Sequence, residues 1–293
     1  MGVYITHMNS TFNRLNGYTD TVINLATQAL SPILSNGAPK QFGHVVVATT
    51  CPDTLAPTLG QAINQHFYPR FADCHVLDLV QGCAGGVAAM VLASQLSELT
   101  KNNVAVVLAD AARQSVSDQN NLRRFFGNGA FACVIQYEDS TRRLIHHKTK
   151  QYENLSELVT VKLGHSTHLE ILDKQKKILH DPLDHLGLHM NPILALKLLR
   201  HAEEFYQQFL AECKTKPDIM IFHQVNPEIL NMLQDVFSVH VEEFVNQAEM
   251  IGNCGSASFA IALDLVKDQL PGKKVFLCSF GTGGVISAGL WQF

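Results

Sequence analysis

Three segments of this sequence recur at a near-constant spacing, and the recurrence restricts the chain to folds built from two related halves. Val45-Val-Val-Ala-Thr-Thr-Cys-Pro52 is matched by Ile219-Met-Ile-Phe-His-Gln-Val-Asn-Pro227, each an apolar run leaving into a proline-containing turn. Gly82-Cys83-Ala-Gly-Gly-Val-Ala-Ala is matched by Gly252-Asn253-Cys-Gly-Ser-Ala-Ser-Phe, each a glycine-rich turn opening a run of small apolar residues. Val104 to Ala109 is matched by Val275 to Phe280. The paired segments start 174, 170 and 171 residues apart. One offset shared by three elements is the mark of a duplicated unit. Within each unit, buried strands alternate with helices, which predicts an α/β fold with largely covered sheets.

The spacing predicts helices over 15–34, 57–67 and 82–99, and strands over 44–50, 75–80, 103–109 and 130–137. The halves are expected to be residues 1–150 and 151–293, and the polar, His-rich stretch from Asp139 to about His189 reads as the excursion between them. Hydrophobic residues make up 46% and charged residues 16% of the chain, which excludes a disordered protein. Net charge is −4, with no long basic run, so nucleic acid is not an expected partner. The longest apolar run, Ala84 to Leu96, is too short to span a membrane. Seven cysteines, an odd number, argue against a disulfide framework, and the start lacks a secretory pattern. A cytoplasmic setting is therefore expected.

The repeat puts Cys83, His223 and Asn253 at related strand ends. Ligands and catalytic groups in α/β folds favour the carboxyl ends of strands. A thiol is a useful nucleophile as its thiolate, and a helix N-terminus or a nearby His favours that form. Cys83, opening a helix, is thus expected to have a lowered pKa. Each residue also has an ordinary reading: a buried structural cysteine, a hydrogen-bonded strand-end histidine and a turn or cap asparagine. Phe280-Gly-Thr-Gly-Gly284 lacks the Lys-Ser/Thr of a phosphate-binding loop, and a backbone N–H aimed at an oxyanion suits it better.

Gln81-Gly-Cys83-Ala-Gly-Gly, Phe126-Gly-Asn-Gly-Ala130, His223-Gln-Val-Asn226, Gly252-Asn253 and Phe280-Gly-Thr-Gly283 together resemble the β-ketoacyl-(acyl-carrier-protein) synthase III family, in family order. The resemblance implies the thiolase-like fold, a duplicated five-layer αβαβα sandwich, and a homodimer, with a heterodimer with a related synthase as the alternative. It implies that Cys83 carries an acyl group taken from a coenzyme A or acyl-carrier-protein thioester. His223 and Asn253 correspond to the pair that stabilises the enolate formed on decarboxylation of a malonyl-type extender. The backbone N–H groups of Cys83 and Thr282 correspond to the oxyanion hole, and Asn226 to a supporting residue near the histidine. No tightly bound cofactor or metal is implied.

The sequence also departs from the family. The segment ahead of Cys83 is short and lacks the Trp and Arg that hold the nucleotide end of coenzyme A; the one tryptophan is Trp291. Glu228 stands where a carrier-docking basic residue is frequent, with Arg123, Arg124 and the Lys197 to Arg200 stretch as substitutes. Ala56 replaces a bulky aromatic before Pro57, which implies room for a longer acyl chain. Thr282 replaces a frequent Gly, and Asn128 a frequent Asp. His165, His168, His185 and His189 have helical metal-ligand spacing but no completing donor set. Cys278, inside an apolar run, is expected to pack rather than to act as a base. Three readings follow: a decarboxylating condensing enzyme of fatty-acid or polyketide type, an acyltransferase to an alcohol, amine or aromatic acceptor, and a supporting subunit of a heteromeric synthase.

Overall fold

Every residue of the run Val104–Asp110 is buried, as a strand covered on both faces requires. Its side chains alternate: Val104, Val106 and Leu108 enter one apolar cluster, and Ala105, Val107 and Ala109 another. This period of two sets the layering of the whole chain. The structure is a computed structural model that describes residues 2–14, 20–117, 119–138, 142–153, 159–161, 188–190 and 193–293.

The first half comprises β1 (Gly2–Asn13), α1 (Val22–Ser35), β2 (His44–Ala48), α2 (Leu59–His66), β3 (His75–Leu79), α3 (Gly85–Thr100), β4 (Val104–Asp110) and β5 (Asn128–Glu138). The second comprises β6 (Arg143–Gln151), the short pair β7 (Val159–Val161) and β8 (Leu188–Met190), and α4 (Leu194–Cys213). It continues with β9 (Ile219–Phe222), α5 (Pro227–Phe237), β10 (Glu243–Val245), α6 (Ala248–Ile251), α7 (Ser258–Leu265), β11 (Lys274–Gly281) and β12 (Val285–Gln292). The sheets have the orders β1-β5-β4-β2-β3 and β6-β12-β11-β9-β10, so the second repeats the first strand for strand. Strand β6 begins at Arg143, ahead of the expected boundary at 150/151, yet pairs antiparallel with β12, so the second sheet takes its edge strand from what reads in sequence as the polar excursion.

Apolar clusters define five layers. The central one holds α3 and α7 between the inner faces of both sheets, with Val46, Leu108, Ile221 and Leu277 among its members. Helices α1 and α2 cover the outer face of the first sheet. The outer face of the second is covered by aromatic residues of α4 and α5, including Phe205, Phe209 and Phe237, which meet Phe222 and Phe276. Cys278 packs in that outer cluster. This is the duplicated α/β sandwich expected of a thiolase-like fold. Helix α3 and its preceding turn are apolar enough, over 19 residues, to match a membrane span in composition, but the helix is packed as core between two sheets.

Helix starts differ from the sequence expectation for local reasons. Helix α1 starts at Val22, where Thr21 accepts the Asn24 N–H and the Asp53 carboxylate accepts those of Val22 and Ile23 at 2.9 Å each. The stretch 15–19 lies outside the described residues. Helix α3 starts at Gly85 rather than at Gly82, because Gly82 has φ +55 and holds Gln81 to Cys83 in a turn.

Helix α3 and the Ser256 turn ahead of α7 meet without intervening side chains. A Cβ on Gly86 would overlap the Ser256 carbonyl oxygen and the Phe259 ring. Gly86→Ala is therefore expected to destabilise the fold by about 1–3 kcal/mol through overpacking. Leu99→Ala, 78% exposed on the same helix, is expected to change stability by less than about 0.5 kcal/mol. Urea midpoints of the two variants check the contrast.

Candidate active site

Cys83 lies two residues ahead of α3 and is half-buried. Its carbonyl accepts the Ser279 hydroxyl at 2.7 Å, which ties the Cys83 turn to the end of β11. Glycine is required at 82, where a Cβ would overlap the Thr282 side chain and stand 2.9 Å from the Thr282 nitrogen. The Thr282 backbone nitrogen is thus packed against the Gly82 turn.

His223 follows β9 and is 3% exposed. Its backbone N–H donates to the Cys278 carbonyl at 2.7 Å, one residue before Ser279. The same short stretch of β11 therefore holds both the Cys83 carbonyl and the His223 backbone. The imidazole Nε2 is 2.9 Å from Asn253 Oδ1. That oxygen also accepts the Gly255 N–H at 3.0 Å, which fixes the amide orientation and leaves Nδ2 as the free donor. Since Oδ1 can only accept, Nε2 carries the proton and the ring is the Nε2–H tautomer. Gln224, fully buried, donates to the Phe222 carbonyl at 2.7 Å and accepts the Gln247 N–H at 2.7 Å, locking the strand end that bears His223. Asn226 is the N-cap of α5: its Oδ1 accepts the Ile229 N–H at 2.8 Å, with Pro227 beginning the helix.

Asn253 is placed by the first half. Its N–H donates to the Phe125 carbonyl at 2.7 Å, and its carbonyl accepts the Gly127 N–H at 3.0 Å. A Cβ on Gly127 would overlap the Ile251 carbonyl oxygen, which explains the glycine of Phe126-Gly-Asn-Gly. Asn128 accepts the Arg113 N–H at 3.1 Å in the same loop. Thus β11 holds the Cys83 carbonyl and the His223 backbone, Thr282 follows that strand, and the His223 ring meets the Asn253 side chain.

Electrostatics correct one sequence expectation. The Cys83 thiol is not lowered: burial, and then the Asp110 carboxylate, push it up to about 12, while hydrogen bonds from the Thr50 side chain and the backbone pull it back in part. The helix starts two residues too late, and the site is too dry, for the helix end to prevail. Burial lowers His223 from 6.5 to about 4, against smaller opposing contributions from Asn253 and the Phe280 backbone.

Sequence reasoning missed Thr50, Asp110, Ser256 and Ser279. One signal was available: Asp110 is the charged residue that closes an otherwise apolar strand. The basic side chains beside the site are Arg14, Arg113 and Arg124. Arg14 donates to the Arg124 carbonyl at 3.4 Å, and Arg113 to the Arg123 carbonyl at 2.9 Å. Among the described residues no group of three His, Cys, Asp or Glu side chains gathers as a metal site; His165, His168 and His185 lie outside them.

Histidine 223 supplies a pH test. Its folded value of about 4 lies below the unfolded 6.5, so the unfolded chain binds the extra proton between those values. The histidine's contribution to stability is complete above pH 6.5 and is lost as pH falls toward 4. Imidazole NMR is expected to show a His223 midpoint near 4 with Nε2 protonated; a midpoint at or above 6.5 would refute the buried neutral ring.

Comparison with known proteins agrees with this arrangement. The profile of 3-oxoacyl-(acyl-carrier-protein) synthase III matches residues 77–152, and that of the synthase III C-terminal region matches residues 214–293; together they span more than half of the chain. The beta-ketoacyl-(acyl-carrier-protein) synthase III of Oenococcus oeni is 21% identical over 99% of this chain and 90% of its own length. That of Rickettsia prowazekii is 24% identical over 84% of this chain and 74% of its own length. Among solved structures, the synthase III of Thermus thermophilus superposes with a TM-score of 0.83 at 18% identity, covering 100% of this chain and 99% of that one. OleA of Xanthomonas campestris, solved with lauric acid and lauroyl-CoA, superposes with a TM-score of 0.80 at 14% identity, covering 100% and 99%. With both family profiles in register on the two halves, the chain belongs to the 3-oxoacyl-(acyl-carrier-protein) synthase III family of the thiolase-like superfamily.

Proposed function

We propose that this protein catalyses a decarboxylating Claisen condensation of acyl thioesters through an acyl-Cys83 intermediate, in fatty-acid or polyketide-type biosynthesis in the cytoplasm. The observation that carries the reading is the fixed His223–Asn253 pair. With Oδ1 committed twice, the Nδ2 donor of Asn253 is free for the carbonyl oxygen of a thioester. Such donors stabilise the enolate left when carbon dioxide departs. Acyl transfer to an alcohol or amine needs a nucleophile and an oxyanion hole, but no second hole for an enolate. The placed amide of Asn253 therefore favours condensation over simple transfer and over a supporting subunit.

In the first step the Cys83 sulfur attacks the donor thioester carbonyl and the leaving thiol takes the Cys83 proton. The oxyanion meets the backbone N–H groups of Cys83 and Thr282. In the second step the extender's C–C bond to carbon dioxide breaks, its electron pair forming the enolate, which the Asn253 Nδ2–H holds while His223 keeps that amide in place. The enolate carbon attacks acyl-Cys83, and the Cys83 sulfur leaves as the thiolate, which takes a proton from water to return to the resting thiol. No tightly bound cofactor is needed, because the thioesters of coenzyme A or acyl carrier protein supply the activation. The lauroyl-CoA bound by the OleA neighbour and the small Ala56 beside Pro57 support a long acyl donor.

We propose a second copy of the chain as the partner at β3. That strand ends the first sheet, and Leu77 within it and Val80 after it are 37% and 76% exposed. An unpaired sheet edge is a ready surface for association, and β3 leads directly into the Cys83 turn.

Intact-protein mass spectrometry after incubation with acyl thioesters is expected to show one acyl group on the wild type and none on Cys83→Ala. Asn253→Ala is expected to load normally but to lose about 10²–10³-fold in malonyl decarboxylation and condensation. Undiminished condensation by Cys83→Ala would sink the proposal. Val80→Glu is expected to halve the sedimentation mass; a wild type that sediments as a monomer would remove the dimer.

A further inference from the structure

Strand β11 turns alternate side chains to two layers. Phe276, Cys278 and Phe280 enter the outer aromatic cluster, and Val275 and Leu277 enter the central one. The next inward position, 279, breaks the apolar pattern with a serine that is fully buried. A buried hydroxyl needs a partner, and that of Ser279 donates to the Cys83 carbonyl at 2.7 Å. The following inward position, 281, has no side chain: a Cβ there would lie 2.7 Å from the Ala84 Cβ and 3.0 Å from the Gln81 carbonyl oxygen. The turn that carries the sulfur is thus seated on the end of β11, by a hydroxyl at one position and by close backbone approach at the other.

The Cys83 carbonyl depends on that hydroxyl because of where α3 begins. Ala84 is the N-cap, and its carbonyl accepts the Ala88 N–H at 3.1 Å as the first bond of the helix. Cys83, one residue earlier, lies outside the ladder. Two hydrogen bonds flank its Cα. The Gly85 N–H donates to the Gly82 carbonyl at 3.0 Å and orients the peptide plane ahead of Cys83; the Ser279 hydroxyl orients the plane that follows it. Peptide units are planar, so two held planes fix φ and ψ of the residue between them. The Cα–Cβ bond of Cys83 then has one direction, and the sulfur keeps only its χ1 rotamers. One of the two bonds is main chain to main chain; the other rests on a single side chain.

We propose that Ser279 is the positioning residue of the nucleophile: its hydroxyl sets the Cys83–Ala84 peptide plane and thereby aims the thiol. Ser279 is buried behind the turn and touches no substrate. The residue before it, Cys278, holds the other side of the site, its carbonyl accepting the His223 N–H at 2.7 Å. That bond is main chain and is available whatever side chain stands at 279. Ser279 therefore governs acyl loading of Cys83 and leaves the His223–Asn253 pair in place. The inference rests on the reading of Cys83 as nucleophile, and one arm of its test uses no thioester.

Ser279→Ala keeps the strand and removes the donor. Intact-protein mass spectrometry against time, with the acyl-CoA that loads the wild type fastest, is expected to show loading slowed by about 10–100-fold, the cost of a small misplacement of reacting atoms. Malonyl-CoA decarboxylation, compared between Cys83→Ala proteins with and without Ser279→Ala so that loading plays no part, is expected to change by less than about twofold, as for independent sites. A general loosening of the fold would slow both steps. Loss of both, or of neither, overturns the proposal.

Cysteine labelled with 13C at the carbonyl supplies the thioester-free arm. The Cys83 resonance, identified as the one absent from Cys83→Ala, is expected to move upfield in Ser279→Ala, as a carbonyl does when it loses a donor; an unmoved resonance overturns the proposal. Ser279→Cys fills the buried volume with a weak donor and decides if near-UV circular dichroism shows that Ser279→Ala does not fold: slowed loading with decarboxylation retained supports the assignment, and undiminished loading overturns it. If the Cys83 resonance moves as expected but no thioester loads the wild type, the condensation reading ends and the aiming of the thiol by Ser279 stands.

Discussion

The two backbone hydrogen bonds that clasp Asn253 between Phe125 and Gly127 are the contact on which the site depends. They join a loop of the first half to a turn of the second, and neither half presents the site without the other. Buried backbone groups must be paired, so the clasp leaves little freedom. From it the Asn253 amide reaches His223, and the following Gly255-Ser256 turn reaches Asp110 and so the Cys83 side. The close glycines at 86 and 127 let the halves approach to backbone contact, and that at 255 makes room for the Asp110 side chain. A side chain at any of them would separate the groups that the duplication brings together.

Close packing also sets the electrostatics. The site is dry, so the free protein carries neither a thiolate nor an imidazolium: burial drives Cys83 to about 12 and His223 to about 4. A Cys–His ion pair is disfavoured by both values, because the sulfur holds its proton far more tightly than the ring would. This fits a histidine whose Nε2–H is a donor rather than a base. Charge then develops during reaction, where preorganised donors in a dry site act most strongly. The same burial raises the pKa of Asp110, and hydrogen bonds from Ser256, Thr50 and Thr49 counter it in part.

The duplication was legible in sequence because strand periodicity and glycine-rich turns recur with little drift. Val45, Gly82 and Val104 have counterparts whose chain neighbours are similar in size and polarity. The meeting of His223 with Asn253 was legible for the same reason, since equivalent strand ends meet across a pseudo-symmetric sandwich. What the sequence hid is what tertiary contact decides. The β6 pattern is half-exposed and polar, and only its pairing with β12 makes it a sheet edge. The upward move of the Cys83 pKa comes first from burial and then from Asp110, neither of which the local sequence reveals. The Gly82 turn delays α3 by a positive φ that a run of small residues does not reveal.

The charge around the Asn253 turn bears on which thioester carriers this chain accepts. Arg14, Arg113 and Arg124 gather on the first-half side, next to the Phe125 carbonyl that holds Asn253. Burial, Arg123 and Arg14 together depress the Arg113 guanidinium, the signature of cations crowded among cations. On the second-half side the exposed acids Glu228 and Glu249 flank the segments bearing His223 and Asn253. Under the condensation reading, an anionic carrier is steered toward the arginines and away from α5, the helix whose first turn holds Glu228. Such steering acts over about one Debye length, roughly 8 Å at physiological salt.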